Sequence, residues 1–454
     1  MDPLAEAVIA GAPPADLLSE KVPDHYVAAH LRAEDVGMFR GREDKDVRAS
    51  LRVGPVPMPE LAPDEALVAV LASSINYNTV WSAIFEPKPT FAFLKRLGQQ
   101  GGHFARHDVP FHAIGSDAAG VIVRVGPGVR RWRVGDHVVV NGAYVDEQEP
   151  ATHADGMLGL GQRAWGYETN FGGLAQYAIV RSSQLLPKAG HLSWEEAAST
   201  TLCAGTAYRM LVSDRGARIK QGDIVLIWGA TGGLGAFAVQ LVRNGGGIAI
   251  GVVGSERKAR ILREFGCDLV INRHDIGLGD DGAEGDPTEL GRRVGAAIRA
   301  ELGEDPHVVF DNVGRATFGV SVFVVRRGGV VVTCGSSSGY RHVYDNRHLW
   351  MNLKRIIGSH VANLQEQAEC NRLVRLGRVI PALSELYPLD CVGDAARLVQ
   401  MNEHVGKVGV LCLAPKPGMG VTDPGGRVAI GESHLNRWQH AASRHSNVDF
   451  GASR

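Results

Sequence analysis

From Gly222 onward, short apolar runs alternate with amphipathic stretches: DIVLIWGA, TGGLGAFAVQLVRNGG, IAIGVVG, SERKARILREFG and DLVINR follow one another. β-Branched runs of this length, each followed by helical periodicity, predict a parallel sheet with helices on both faces. HVVFDNVG, GGVVVTCG and KRIIGSH add three strands, and about six in all suit a doubly wound α/β fold that binds a dinucleotide. Before Gly205 the pattern changes. EALVAVLASSIN, AAGVIVRVG and VGDHVVVN are short alternating strands punctuated by Gly, Pro and Asp, which predicts an antiparallel, barrel-like domain. Helix and strand return after Asn363, and GKVGVLCL reads as a closing strand for the first domain's sheet. The expected division is therefore residues 1–205 with 364–454 for a catalytic, substrate-binding domain and 206–363 for a dinucleotide-binding domain. The acidic, Gly-rich stretch from Asp275 to Pro287 predicts a surface loop, and the Gly-, Ser-, Asn- and His-rich tail from Pro415 predicts loose order.

Composition narrows the function classes. The 454 residues exceed one ordinary core, and a net charge of -1 provides no general basic field for nucleic acid. The early acid in MDPLAEAVIAGAPPADLL and the lack of an apolar stretch of about 18 residues predict a cytoplasmic protein with no membrane partner. Six scattered cysteines signal neither a disulfide framework nor a zinc knuckle.

The chemistry begins at VLIWGATGGLGAFAVQL. Gly229, Thr231, Gly232, Gly233, Leu234 and Gly235 lie between a strand and an apolar helix, where a bare backbone lets a pyrophosphate approach the helix N-terminus. About 20 residues further on, an NAD site carries an acid for the ribose hydroxyl. Here the strand tip reads Val253, Gly254 and Ser255, followed by Arg257 and Lys258, with Arg273 after the next strand. A hydroxyl and cations suit a 2'-phosphate, so Ser255, Lys258 and Arg273 point to NADPH. The plainer alternative makes Arg257 and Lys258 solvated helix residues.

A barrel followed by a dinucleotide domain resembles the medium-chain dehydrogenase/reductase superfamily. Zinc alcohol dehydrogenases of that superfamily carry Gly-His-Glu where this chain reads GSDAAG, and Cys/His ligand spacings are absent, so no metal is expected. SSINYNTVWSAIFEP, WGYETNFGGLAQY, YDNRHLWMNLKRIIGSHVAN and GKVGVLCLAPKPGMGVTDP resemble the crotonyl-CoA carboxylase/reductases more specifically. That resemblance implies a GroES-like catalytic domain beside a Rossmann domain. It also implies NADPH-dependent reduction of an enoyl-CoA whose enolate is trapped by CO2. On the matching positions, Asn78 donates to one CO2 oxygen, Glu168 and His360 hold an ordered water at the other, and Tyr167 forms the wall where some relatives place Phe. Taken alone, Asn78 is equally a turn cap, Glu168 a partner for Arg163, and His360 a core histidine. Arg347 is the best of three candidates, with Lys354 and Arg355, for the phosphates of coenzyme A. Even-numbered homo-oligomers, a dimer or tetramer, are usual for the superfamily.

Acyl length rests on two small residues. Ala164 precedes WGYE and Gly335 follows VVVTC, and the resemblance implies bulkier residues there in crotonyl-specific members. Their absence predicts a longer pocket and a 2-alkylmalonyl-CoA product of the kind used as a polyketide extender unit. In the alternative, Ala164 only packs beside Trp165 and Gly335 only serves a turn. A non-carboxylating NADPH-dependent enoyl-CoA or enone reductase remains the competing function.

Overall fold

The computed structural model describes residues 2–277 and 285–445. The chain divides into two compact units, one running to Leu202 with Val361–Gly377 and Glu385–Glu432, the other containing the described residues of Cys203–His360, Arg378–Ser384 and the segment from Ser433 to His445.

In the first unit the strand Glu65–Ser74 is buried along its whole length, as its run of Ala, Val and Leu demands. It pairs antiparallel with Ala119–Val125, Tyr177–Arg181 and Lys407–Leu411. These belong to a seven-stranded sheet that also contains His137–Val140, Leu185–Pro187 and Leu383–Pro388. The late strand Lys407–Leu411 sits beside the first domain's central strand, as GKVGVLCL suggested, with Gly409 opposite Ser74.

The second unit holds six parallel strands in the spatial order Leu269–Asn272, Ile248–Val253, Ile224–Trp228, Val308–Asp311, Val330–Thr333 and Arg355–Gly358. That order reverses at the first strand in sequence, the arrangement of a doubly wound dinucleotide fold. Ile224, Leu226, Ile250, Val309 and Val331 pack with Val294 and Ile298 of the helix Pro287–Leu302 to form its core.

Two expectations are corrected. The tail from Pro415 is ordered through its described part: helices span Pro424–Ile430 and Arg437–Arg444. Polar composition concealed two anchors, the half-buried Arg427 guanidinium paired with the buried Glu196 and the fully buried Trp438, set edge-on against Phe265 at 4.7 Å. The described residues from Ser433 to His445 accordingly fall with the dinucleotide-binding unit, whereas the expected division put them in the 364–454 return. Residues 278–284 of the expected acidic loop lie outside the described residues. No helix among the described residues is long and apolar enough to cross a membrane.

Candidate active site

The dinucleotide cradle follows from backbone geometry. The strand Ile224–Trp228 ends at Gly229, and Gly232 caps the helix Gly233–Asn244 without a side chain. A Cβ on Gly235 would meet the Gly229 carbonyl oxygen at 2.3 Å, so only glycine lets the helix pack this closely on the turn. Thr231 is buried in the turn, while Gly233 and Leu234 are half-buried at the helix start. The open helix N-terminus between them presents backbone donors suited to a pyrophosphate.

Beyond the second strand, Ser255 caps the helix Glu256–Phe265 by accepting from the Lys258 amide at 3.3 Å. Burial, and then the charges of Arg257 and Arg273, hold the Lys258 ammonium down to about 8. Glu256 points away from these cations, to Arg263 at 2.9 Å. Arg273 lies over Gly254, where a Cβ would come within 3.1 Å of its Nε. Arg257 donates through Nε to the His445 carbonyl at 2.8 Å, so it is tied into the fold rather than left to solvent. Mutually repelling cations at a helix N-terminus fit a doubly charged phosphate, and the residues present therefore suit a 2'-phosphorylated dinucleotide.

The stretch carrying Glu168 belongs to the first unit and is held rigidly. Trp165 is buried and donates from Nε1 to the Ile179 carbonyl at 3.0 Å. Asn170 accepts from the amides of Ala113 and Phe171 at 2.8 and 2.9 Å and donates to the Phe111 carbonyl at 2.8 Å. Its own amide donates to His107 Nδ1 at 3.1 Å, and burial pushes that imidazole down to about 3, so it accepts as a neutral ring. Glu168 folds back on the same turn. Its amide donates to the Ala164 carbonyl at 2.7 Å, and its Oε2 accepts from the Ala164 amide at 2.8 Å. The half-buried carboxylate is thereby oriented by one backbone donor, and Arg163 is not its partner: that guanidinium donates instead to the Gln162 carbonyl at 2.8 Å. Tyr167 stacks obliquely near Phe93, with ring centres 6.1 Å apart.

Asn78 is the second residue of the helix Tyr77–Ile84 and does not cap it. Its Nδ2 donates to Ser116 Oγ at 2.8 Å, and that hydroxyl donates to the Trp165 carbonyl at 2.6 Å. One hydrogen-bonded path thus joins Asn78 to the turn bearing Tyr167 and Glu168. His360 belongs to the other unit, two residues beyond the strand Arg355–Gly358, and is exposed rather than a core histidine.

Sequence reading missed the polar hub beneath Asn78. Asp117, fully buried, accepts from Ser74 Oγ at 2.7 Å, Asn76 Nδ2 at 2.6 Å, Lys407 Nζ at 3.1 Å, the Leu202 amide at 2.8 Å and Thr201 Oγ1. Burial pushes its carboxyl up, but the Lys407 ammonium and these donors outweigh it and hold it below the ordinary value. The available signal was an acid among small residues in GSDAAG and a lone cation in the apolar GKVGVLCL.

The remaining candidates differ in standing. Gly335 has φ +73°, so the backbone alone accounts for glycine there. Ala164 is buried, and its amide and carbonyl are the two groups that clamp Glu168. Arg347 is exposed and already paired with Asp345 at 2.6 Å. Lys354 donates to the Val322 and Phe323 carbonyls at 2.8 and 2.7 Å, where it closes the end of a helix rather than meeting a ligand. Among the described residues no three His, Cys, Asp or Glu side chains gather in a group that could hold a metal.

Comparison with known proteins agrees with this architecture. Residues 62–190 match the alcohol dehydrogenase GroES-like domain, and 233–377 match the zinc-binding dehydrogenase family. The chain is 53% identical to a crotonyl-CoA reductase of Streptomyces collinus, over 90% of this chain and 92% of that one. It is 36% identical to a crotonyl-CoA carboxylase/reductase of Cereibacter sphaeroides, over 92% and 96%. A solved 2-octenoyl-CoA carboxylase reductase, CinF, in complex with NADP and 2-octenoyl-CoA, superposes with a TM-score of 0.95 at 62% identity, covering 96% of this chain and 98% of that one.

Proposed function

The chain belongs to the crotonyl-CoA carboxylase/reductase family of medium-chain dehydrogenases/reductases, and from that premise we propose that it reductively carboxylates a 2-enoyl-CoA to a 2-alkylmalonyl-CoA with NADPH. The observation that carries the proposal is the path from Asn78 through Ser116 to the turn of Tyr167 and Glu168. It brings a directed amide donor and an oriented carboxylate into one assembly.

NADPH is held by the Gly229–Gly235 turn and by Ser255, Lys258 and Arg273, and when bound it supplies hydride to the β-carbon. The chain's own residues govern the fate of the resulting enolate. Its α-carbon attacks CO2, forming a carbon–carbon bond and a carboxylate, unless water protonates it first. Asn78 donates from Nδ2 to one CO2 oxygen. Glu168, with one oxygen fixed on the Ala164 amide, and His360 are assigned to grip a single ordered water at the other oxygen. Tyr167, against Phe93, walls the site from loose water. A few directed donors and exclusion of bulk water are what a small uncharged electrophile requires.

The acyl chain is longer than crotonyl in this proposal. Support comes from Ala164 beside the Glu168 turn and from the 2-octenoyl-CoA bound to the similar CinF structure; Gly335, required by its backbone, adds little. The product class suits a polyketide extender unit. Arg347 is proposed for the coenzyme A phosphates, exchanging Asp345 for phosphate. A homo-oligomer, dimer or tetramer, is proposed from the sheet edge at Arg355–Gly358 and the neighbouring exposed Trp350, Met351 and Leu353, since an unpaired edge beside apolar side chains invites a second copy.

The Tyr167 hydroxyl favours a second reading, reduction followed by protonation, because it places a polar group where a phenylalanine would exclude water. NADPH consumption with crotonyl-, hexenoyl- and octenoyl-CoA, with and without bicarbonate and carbonic anhydrase, separates the two. Carboxylation predicts that the dominant product changes from saturated acyl-CoA to alkylmalonyl-CoA when CO2 is supplied; the second reading predicts saturated product in both.

A further inference from the structure

We infer that Ser116 is a positioning residue that fixes the amide of Asn78 with its nitrogen as the donor, and so sets how efficiently the enolate is carboxylated; the inference rests on the function proposed above. Ser116 is buried, and its hydroxyl carries one hydrogen. A carbonyl only accepts, so the 2.6 Å contact with the Trp165 carbonyl commits that hydrogen. Toward Asn78, 2.8 Å away, the same oxygen acts only as an acceptor. Asn78 must therefore present Nδ2. The flipped amide would set two acceptor oxygens against each other with no proton between them, which leaves both unsatisfied.

The orientation is held from both sides. The Trp165 carbonyl belongs to a residue whose amide donates to the Gly142 carbonyl at 2.8 Å and whose indole donates to the Ile179 carbonyl. The residue after Ser116 is Asp117, fixed by its five donors. One of these, Asn76, stands immediately before the helix Tyr77–Ile84 and also accepts from Lys407 at 2.6 Å. Adjacent residues of GSDAAG thus control Asn78 twice: Asp117 anchors the start of its helix, and Ser116 sets its amide. One Nδ2 hydrogen is engaged by Ser116. The second is the donor available to a CO2 oxygen.

Ser116→Ala removes the acceptor while leaving the residues proposed to hold NADPH, the Gly229–Gly235 turn, Ser255, Lys258 and Arg273, untouched. At a fixed concentration of labelled bicarbonate with carbonic anhydrase, mass spectrometry of the products should show the ratio of saturated to carboxylated acyl-CoA rising about 3- to 10-fold, the worth of one ordinary hydrogen bond. NADPH consumption should stay within about twofold, and the double variant Ser116→Ala/Asn78→Leu should match Asn78→Leu, as groups acting through one another do. Ser116→Cys, a weaker donor and acceptor of similar shape, must move the ratio in the same direction and covers the case in which the Ala variant does not fold. An unchanged ratio in a folded Ser116 variant, while Asn78→Leu raises it, overturns the inference and leaves the proposed function standing. An unchanged ratio in Asn78→Leu itself instead removes the proposed CO2 site. Equal loss of both products in the Ser116 variants assigns the hydroxyl to structure alone and also overturns the inference.

Discussion

The cofactor site predicts its own pH dependence. In the cofactor-free protein Lys258 is held down to about 8 from an ordinary 10.5, first by burial and then by Arg257 and Arg273; a displacement of that size corresponds to roughly 3 kcal/mol against the charged form. A 2'-phosphate between these cations stabilises the charged ammonium, so its pKa rises on binding and NADPH binds the protonated form. Affinity is then full below the free value and falls as pH rises through about 8. Between about pH 7 and about pH 9 the charged fraction, and with it NADPH affinity, falls roughly tenfold. The phosphate is already dianionic there, its second pKa being about 6, so it adds no opposing trend. Dissociation constants from quenching of protein fluorescence, measured for NADPH and NADH across that range, read the effect directly. NADH, which lacks the phosphate, should change by less than about threefold, and Lys258→Arg should flatten the NADPH profile because its charge does not titrate. Lys258→Ala should raise the NADPH constant about 10- to 100-fold at neutral pH with little effect on NADH. A flat NADPH profile in the wild type, or equal effects of Lys258→Ala on both cofactors, refutes the assignment.

Three further outcomes follow from the first unit. Lys407→Met leaves the Asp117 carboxylate buried without its ammonium and should cost about 3–5 kcal/mol in denaturant unfolding near neutral pH. The sign of the pH dependence should also reverse: the lowered Asp117 pKa makes the wild type lose stability as pH falls through the acid range, whereas the variant, its carboxyl now raised by burial, should regain stability as pH falls from neutral toward about 4. Glu168→Ala should raise the saturated product at the expense of the carboxylated one while NADPH consumption persists, read by product chromatography; uniform loss of both would make Glu168 structural. Ala164→Ile should shift kcat/KM from octenoyl- toward crotonyl-CoA, each excluded methylene being worth about 0.8 kcal/mol, and retained octenoyl preference would remove Ala164 from the acyl pocket.

What the sequence displayed was whatever depends on neighbours in the chain. The Gly229–Gly235 turn is fixed by the strand before it and the helix after it, and the Ala, Val and Leu run within Glu65–Ser74 reports a strand buried on both faces, so both were readable as elements. Lys258 and Arg273 were readable as charges, although their mutual repulsion requires three dimensions. Asp117 and Lys407 are 290 positions apart, and nothing local in either segment announces that they meet. The order of the tail has the same origin: Trp438 is buried against a helix of the dinucleotide-binding unit, where its ring meets Phe265 edge-on, 173 positions away in the chain. Gly335 shows the converse, since a missing side chain looks like space for a ligand until its φ of +73° is known. The members of the proposed CO2 set were identifiable by resemblance, but the link of Asn78 to Trp165 through Ser116 was not, because the hydrogen-bond polarity of a hydroxyl has no sequence signature.

The central claim is that the enolate is captured by CO2 rather than by a proton. Mass spectrometry of the product formed from 2-octenoyl-CoA and NADPH in carbon-13 bicarbonate with carbonic anhydrase tests it most directly. The account predicts a 2-hexylmalonyl-CoA carrying one heavy carbon in the new carboxyl group; unlabelled octanoyl-CoA as the dominant product under saturating bicarbonate would contradict it.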